Sequence, residues 1–300
     1  MNKTSLFAIA AAASLPGLAL AQNPGPERLA AVEIRAERVA DDLYVLFGAG
    51  GNIAVSFGEQ GVLIVDTQFP ELVPKIRAAI RELGGGDIDF VINTHWHFDH
   101  ADGNKVLGPD GTWIVAQENA RRMMMQDNVI NLVSMQREQP AYPAEALPVM
   151  SFTDGMMFHF NGEQIELLHF GPAHTAGDTA VIFRGHNVVH MGDVFNNAGY
   201  PFMDAGNGGS LEGMIEFCSQ VLERIDRGMV VVPGHGPVSD YADLQSYVEM
   251  LSAIRDRMSA LIEDGATFEQ VAAAQITEEW DEEMGDPANF IDRAYTSLMR

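Results

Sequence analysis

The sequence predicts an α+β fold built as two similar halves, each a set of strands followed by a helix. Three observations carry that reading. Short runs rich in β-branched and aromatic residues alternate with glycine turns, several longer segments have helical spacing, and the order of elements repeats in the second half of the 300 residues. No strict sequence repeat accompanies the repeated order. With 47% hydrophobic residues, the chain can bury a sizeable core, and residues 22–300 are expected to form a single domain.

The first half opens with strands at Val32–Ile34, Leu43–Phe47, Ile53–Val55 and Val62–Val65, punctuated by Gly48, Gly50, Gly51, Gly58 and Gly61. Gly48-Ala49-Gly50 starts like a dinucleotide loop, but Ile53 fills the third glycine position and no helical pattern follows. Leu72 to Leu83 carries apolar residues at helical spacing and stops at Gly84-Gly85-Gly86. Phe90–Ile92 is a short apolar strand leading into a histidine-rich loop, and a strand at Trp113–Ala116 precedes a helix over Arg121–Gln126. From Asn128 to Pro148 the pattern loses its period and three prolines intervene, as in a functional flap.

The second half has strands at Met156–Phe160, Gln164–His169, Ala180–Phe183 and Val188–Met191, then a glycine-rich loop over Asn196–Gly209. Helix Leu211–Ile225, strand Met229–Val232 and helix Tyr241–Ile262 follow, and the tail from Thr267 reads as two short helices.

Composition narrows the function. Asp and Glu number 42 against 18 Lys and Arg, for a net charge of −24, which disfavours nucleic-acid partners because such binding draws on cations paired with phosphates. One cysteine, Cys218, excludes an intramolecular disulfide, and its place in an amphipathic helix suits a small buried hydrophobe. The N-terminus reads as an export signal: Lys3, an apolar run from Leu6 to Leu15, then Ala19-Leu20-Ala21 before Gln22. Cleavage after Ala21 would deliver the protein to a periplasm or the exterior, without membrane attachment. The alternative is an uncleaved hydrophobic anchor.

The chemistry concentrates in Thr94-His95-Trp96-His97-Phe98-Asp99-His100. In extended chain His95 and His97 project to one side and can reach one metal ion, while Asp99 and His100 lie where the chain turns and can face a neighbouring ion. Imidazole nitrogens and carboxylate oxygens are the donors a hydrolytic zinc site uses. His174 in a turn between strands, Asp193 after a strand, and His235 in Pro233-Gly234-His235-Gly236 are further polar residues at strand ends, flanked by Gly or Pro. His159, His169, His186 and His190 lie on or beside strands without ligand spacing.

Together, His95, His97, Asp99, His100, His174, Asp193 and His235 resemble the dinuclear signature of the metallo-β-lactamase superfamily, over nearly the whole chain after residue 21. The resemblance implies a four-layer αβ/βα sandwich, two mixed sheets face to face with helices outside. It implies one zinc ion on His95, His97 and His174, a second on Asp99, His100 and His235, and Asp193 between them. The expected reaction is hydrolysis by a hydroxide shared between the two ions, with Asp99 as the catalytic side chain that orients it. Asp66 matches a family position supporting the metal loop, or else caps its strand. Asp178 either orients a ligand histidine or caps a turn.

His97 sets the chain apart from the superfamily's diiron oxidoreductases, which carry an acid there. Asp193 resembles the thioesterases and lactonases, where two β-lactamase groups have cysteine. Glutathione thioesterases, however, need no export signal, and no Lys or Arg lies between Arg184 and Arg224 to bind such a cofactor. The expectation is therefore an exported zinc hydrolase opening cyclic amides, a β-lactamase of weak or promiscuous activity. Lactone, ester or thioester hydrolysis is the alternative, and a non-catalytic periplasmic metal- or ligand-binding protein is a third. Asn196, Asn197, Tyr200, Asn207 and Ser210 are candidate donors to a substrate carboxylate or carbonyl, with Tyr200 a candidate for a lactone oxyanion.

Overall fold

A computed structural model describes residues 25–300. The proposed signal segment lies outside the described residues. The first sheet holds β1 (Arg35–Ala40), β2 (Leu43–Phe47), β3 (Ile53–Gly58), β4 (Gly61–Val65), β5 (Ile88–Ile92) and β6 (Trp113–Gln117) in that order. A separate hairpin follows, β7 (Asn128–Asn131) with β8 (Gln136–Gln139), before β9 (Met150–Phe152) closes the first sheet against β6. The second sheet runs β10 (Gly155–Phe160), β11 (Glu163–Leu168), β12 (Ala180–Phe183), β13 (Val188–His190), β14 (Val230–Val232) and β15 (Ser239–Asp240).

Both sheets are mixed. Antiparallel pairs β1 to β4 give way to parallel β4–β5–β6–β9, and antiparallel β10 to β13 give way to parallel β13–β14. The helices are α1 (Pro26–Ala31), α2 (Val73–Glu82), α3 (Phe98–Ala101), α4 (Asn104–Leu107), α5 (Glu118–Met124), α6 (Leu211–Leu222), α7 (Tyr241–Glu263), α8 (Phe268–Ala273), α9 (Asp281–Met284) and α10 (Ala288–Leu298).

Strand alternation explains the four layers. β4 sends Leu63 and Val65 into the space between the sheets, and β12 meets them with Val181 and Phe183. The opposite faces are apolar as well: Val62 and Ile64 lie under Leu72, Ile76 and Ile80, while Ala180 and Ile182 share a core with Phe217, Val221, Leu251 and Ile254 of α6 and α7. A strand apolar on both faces needs cover on both, so helices pack outside each sheet. This is the αβ/βα sandwich.

The differences from the sequence reading are local. Val32–Ile34 is not a strand; the chain leaves α1 there, and β1 begins at Arg35 as a polar edge strand fixed by pairing with β2. The helix expected over Arg121–Gln126 starts earlier, at Glu118, where the Gln117 side chain accepts from the Asn119 N–H. The Asn128–Pro148 stretch contains an ordered hairpin and a short turn of helix, Ala144–Ala146, where the prolines had suggested irregular chain. Its base is fastened by Gln139, which donates to Trp96 O at 2.8 Å and accepts from Phe98 N at 3.1 Å. The tail forms three helices rather than two.

Candidate metal centre

The parallel strands of the two sheets end along one edge, and the loops leaving them carry the candidate residues. Asp66 follows β4, the histidine-rich loop follows β5, Asp193 follows β13, and His235 follows β14. His174 enters from the loop between β11 and β12. His95, His97, Asp99, His100, His174 and Asp193 are buried, and His235 is 20% exposed at its side chain.

All seven converge. The ligand atoms of His95, His97 and His174 lie within 4.8 Å of one another, as do those of Asp99, His100 and His235, and those of His95, His100 and Asp193 form a third such group between the two. Asp193 reaches both sides: its Oδ1 is 3.0 Å from His100 Nε2 and 3.4 Å from His235 Nε2, while its Oδ2 is 3.7 Å from His174 Nε2.

The hydrogen bonds on the outward nitrogens fix which nitrogens face inward. His174 Nδ1 donates to the Phe202 carbonyl at 2.7 Å, His97 Nε2 to Asp204 Oδ2 at 3.0 Å, and His100 Nδ1 to Asp66 Oδ2 at 2.7 Å. A carbonyl or carboxylate oxygen can only accept, so each ring carries its proton outward. In the neutral rings, the lone pairs of His97 Nδ1 and His174 Nε2 then face each other at 2.9 Å, and His100 Nε2 lies 3.1 Å from His235 Nε2. His95 Nε2 and Asp99 Oδ1, both buried, have no hydrogen-bond partner. Facing lone pairs and partnerless buried acceptors fit bound divalent cations, and the nitrogen-and-oxygen donor set suits zinc.

Charge is distributed unevenly. Burial, reinforced by His100 and His174, holds His95 well below the usual imidazole range, and burial lowers His174. Burial also opposes charge on His100, but Asp193, Asp99 and Asp66 outweigh it and raise that imidazole well above its usual range. His235 is likewise pushed up to about 9, against burial, mainly by Asp193. Burial would raise the Asp193 carboxyl, yet His100 and His235 hold it well below the usual carboxylate range.

Supporting residues sit immediately behind. Asp66 adopts φ +67°, a left-handed backbone uncommon outside glycine, and its carboxylate accepts from Thr94 N at 2.8 Å, Thr94 Oγ1 at 2.7 Å and His100 Nδ1. It therefore acts beyond capping its strand. Asp178 is the turn cap: it accepts from Ala173 N, Thr175 N and Thr175 Oγ1 and makes no hydrogen bond to a ligand ring. His169 donates to the Asp178 carbonyl, and His190 Nε2 lies 3.0 Å from Asn52 O, so both serve the framework. Two glycines allow the close approach: a Cβ on Gly51 would sit 2.1 Å from the His100 ring, and one on Gly234 2.0 Å from Asp193 Oδ1.

Several expected donors are committed elsewhere. The Tyr200 hydroxyl is 2.8 Å from Asp281 Oδ1, and burial with that carboxylate raises its pKa. It is not free for an oxyanion. Asn197 donates to Pro237 O, Asn207 donates to Val129 O and Asp204, and Ser210 caps α6. Asp204 was missing from the sequence reading. Its one signal was being the sole acid in the loop Asn196–Gly209. Asn52 was missed too; it holds the His235 loop by donating to Pro233 O and Gly236 O, both at 2.9 Å.

Comparison with known proteins gives this geometry a family. The model of the metallo-β-lactamase superfamily matches residues 48–256, so the chain belongs to that superfamily. Among solved structures, it resembles the DIM-1 metallo-β-lactamase at 20% identity and TM-score 0.58, over 74% of this chain and 98% of that one. A metallo-β-lactamase from Pontibacter korlensis is 18% identical, with TM-score 0.59 over 73% and 99%. These likenesses show the fold. A curated relative, the 2,4-dinitroanisole O-demethylase subunit alpha of Nocardioides sp. (strain JS1661), is 29% identical over 149 residues, 48% of this chain; the match spans 41% of that relative's length. Among the described residues, no helix is long and apolar enough to cross a membrane.

Proposed function

We propose that the protein is an exported hydrolase that uses two zinc ions to open a cyclic amide, with weak or promiscuous β-lactamase activity. The observation that supports this best is the pair of ligand triads with Asp193 reaching toward both. His95, His97 and His174 would hold one ion, Asp99, His100 and His235 the other. When bound, such a pair supplies Lewis acidity at a carbonyl and makes water acidic enough to attack at neutral pH. Asp99 has the catalytic part assigned to this chain: its partnerless Oδ1 is available to take the attacking water's proton and direct the oxygen. Asp66, Asp204 and the Phe202 carbonyl hold three imidazoles in place before substrate arrives, so little reorganisation accompanies reaction. The export assignment rests on the first 21 residues alone.

A second reading, hydrolysis of a lactone, ester or thioester, is favoured by Asp193, a carboxylate where two β-lactamase groups of the superfamily have cysteine. The relative named as an O-demethylase subunit also directs attention to an oxygen leaving atom. One panel separates these: ring opening of a chromogenic cephalosporin, a lactone and a thioester by one zinc-loaded preparation, with His97→Ala as background. Cephalosporin turnover well above that background supports the amide reading. A cephalosporin rate equal to background, with turnover of another substrate, replaces it with the second. Stoichiometric zinc without any turnover would make the protein a binding module.

A further inference from the structure

The superfamily match ends at residue 256, inside α7, yet the chain continues through α8, α9 and α10. This tail packs against the outer helices through Val271, Phe290, Ile291 and Ala294. It also grips both ends of the loop that leads into α6. At the near end, Tyr200 stacks on Phe290 with ring centroids 5.2 Å apart, its hydroxyl lies 2.8 Å from Asp281 Oδ1 and 3.2 Å from Thr277 O, and its N–H donates to Met284 O at 3.3 Å. At the far end, Leu211 N donates to Ser297 Oγ at 3.2 Å.

Between those two grips lie the two acceptors that orient the all-histidine triad. The Phe202 carbonyl takes the His174 Nδ1 proton, and Asp204 takes the His97 Nε2 proton. Asp204 N also donates to His174 O at 2.9 Å, tying the loop to the backbone of the residue it orients. Residues 200, 202 and 204 are two apart in a short stretch, so a shift of Tyr200 is carried directly to both acceptors.

We propose that the C-terminal segment 277–297 is a clamp on the Tyr200–Leu211 loop, with Tyr200 as the positioning residue that sets the proton placement and aim of His97 and His174. The clamp deepens the metal-hydrolase reading, because those rings belong to the triad assigned to one zinc ion. A tail outside the superfamily match thereby governs the affinity of one site and leaves the other alone.

The test uses full-length protein with 15N-labelled histidine at pH 8, with and without zinc. Wild type is expected to show exchange-protected ring N–H protons at His97 Nε2 and His174 Nδ1. Tyr200→Ala should lose that protection and bind one zinc equivalent about tenfold or more weakly, the second equivalent holding its affinity. Tyr200→Phe, which keeps the stack and drops the hydroxyl, should fall between. Ile80→Val, a packing change on the buried face of α2 in the other half, should leave both signals intact. If Tyr200→Ala does not fold, Phe290→Leu must show the same loss. Wild-type protection in Tyr200→Ala, or in Phe290→Leu where that stands in, overturns the clamp. Protected protons in wild type without zinc binding would leave the clamp standing and overturn the metal reading.

Discussion

Lowering the pH should strip the two triads of zinc unequally. In the metal-free protein the His235 imidazole is pushed up to about 9, because Asp193 and Asp99 overcome the effect of burial. Zinc needs the bare nitrogen, so at every pH below about 9 its binding to the Asp99–His100–His235 triad must expel a proton. His100 is raised as well, for the same reason. Affinity there should therefore fall at least tenfold between pH 8 and pH 7, or ~1.4 kcal/mol, and more if both rings are protonated. His95 and His174 are shifted the other way and are already neutral in that range. Zinc on the triad that contains them should therefore lose less affinity than zinc on the other between pH 8 and pH 7. Calorimetric titration in two buffers of different ionisation heat counts the protons released by each equivalent, and a chromogenic chelator measures each affinity. Equal proton release by the two zinc equivalents would refute the charge assignment.

The same shift has a consequence for stability without zinc. A folded-state pKa above the unfolded value contributes stability that is complete below the unfolded value, near 6.5, and is lost as the pH rises through about 9. The zinc-free protein should therefore lose up to about 3 kcal/mol over that interval, seen as a falling urea midpoint. His95→Ala and His174→Ala should abolish hydrolysis in the substrate panel, whereas His169→Ala, which breaks a bond to the Asp178 carbonyl, should lower Tm and keep both zinc equivalents; loss of metal would contradict that division. Asp66→Asn should weaken zinc at the His100 triad roughly 10- to 100-fold by competition assay, since it disturbs the acceptor of His100 Nδ1. Gly51→Ala drives a Cβ against the His100 ring and should cost the same triad its metal by elemental analysis, with the other ion retained. Phe217→Ala, on the buried face of α6, should destabilise by about 3–5 kcal/mol without changing metal content.

Much of this molecule was legible in the order of its residues. The double alternation of Val62 to Val65 and of Ala180 to Phe183, apolar at every position, already demands strands covered on both faces. The spacing of His95, His97, Asp99 and His100 marks a metal loop because four such donors have little reason to share six residues of exposed chain. Local pattern failed where pairing or distant contact decides. Val32–Ile34 has strand composition, but the strand begins at Arg35, where β2 offers partners. Gln139, Asn52 and Asp204 are ordinary polar residues until the fold carries them against Phe98, the His235 loop and His97. Asp178 and Tyr200 had the right chemistry for the site, but a local turn takes up the first and a contact with Asp281, 81 residues on, takes up the second. Sequence determined which donors exist and which strands would be buried, because those follow from side-chain chemistry and period. Only the packed structure decided which nitrogen of each ring faces inward, because that depends on acceptors 28, 34 and 107 residues away in the chain.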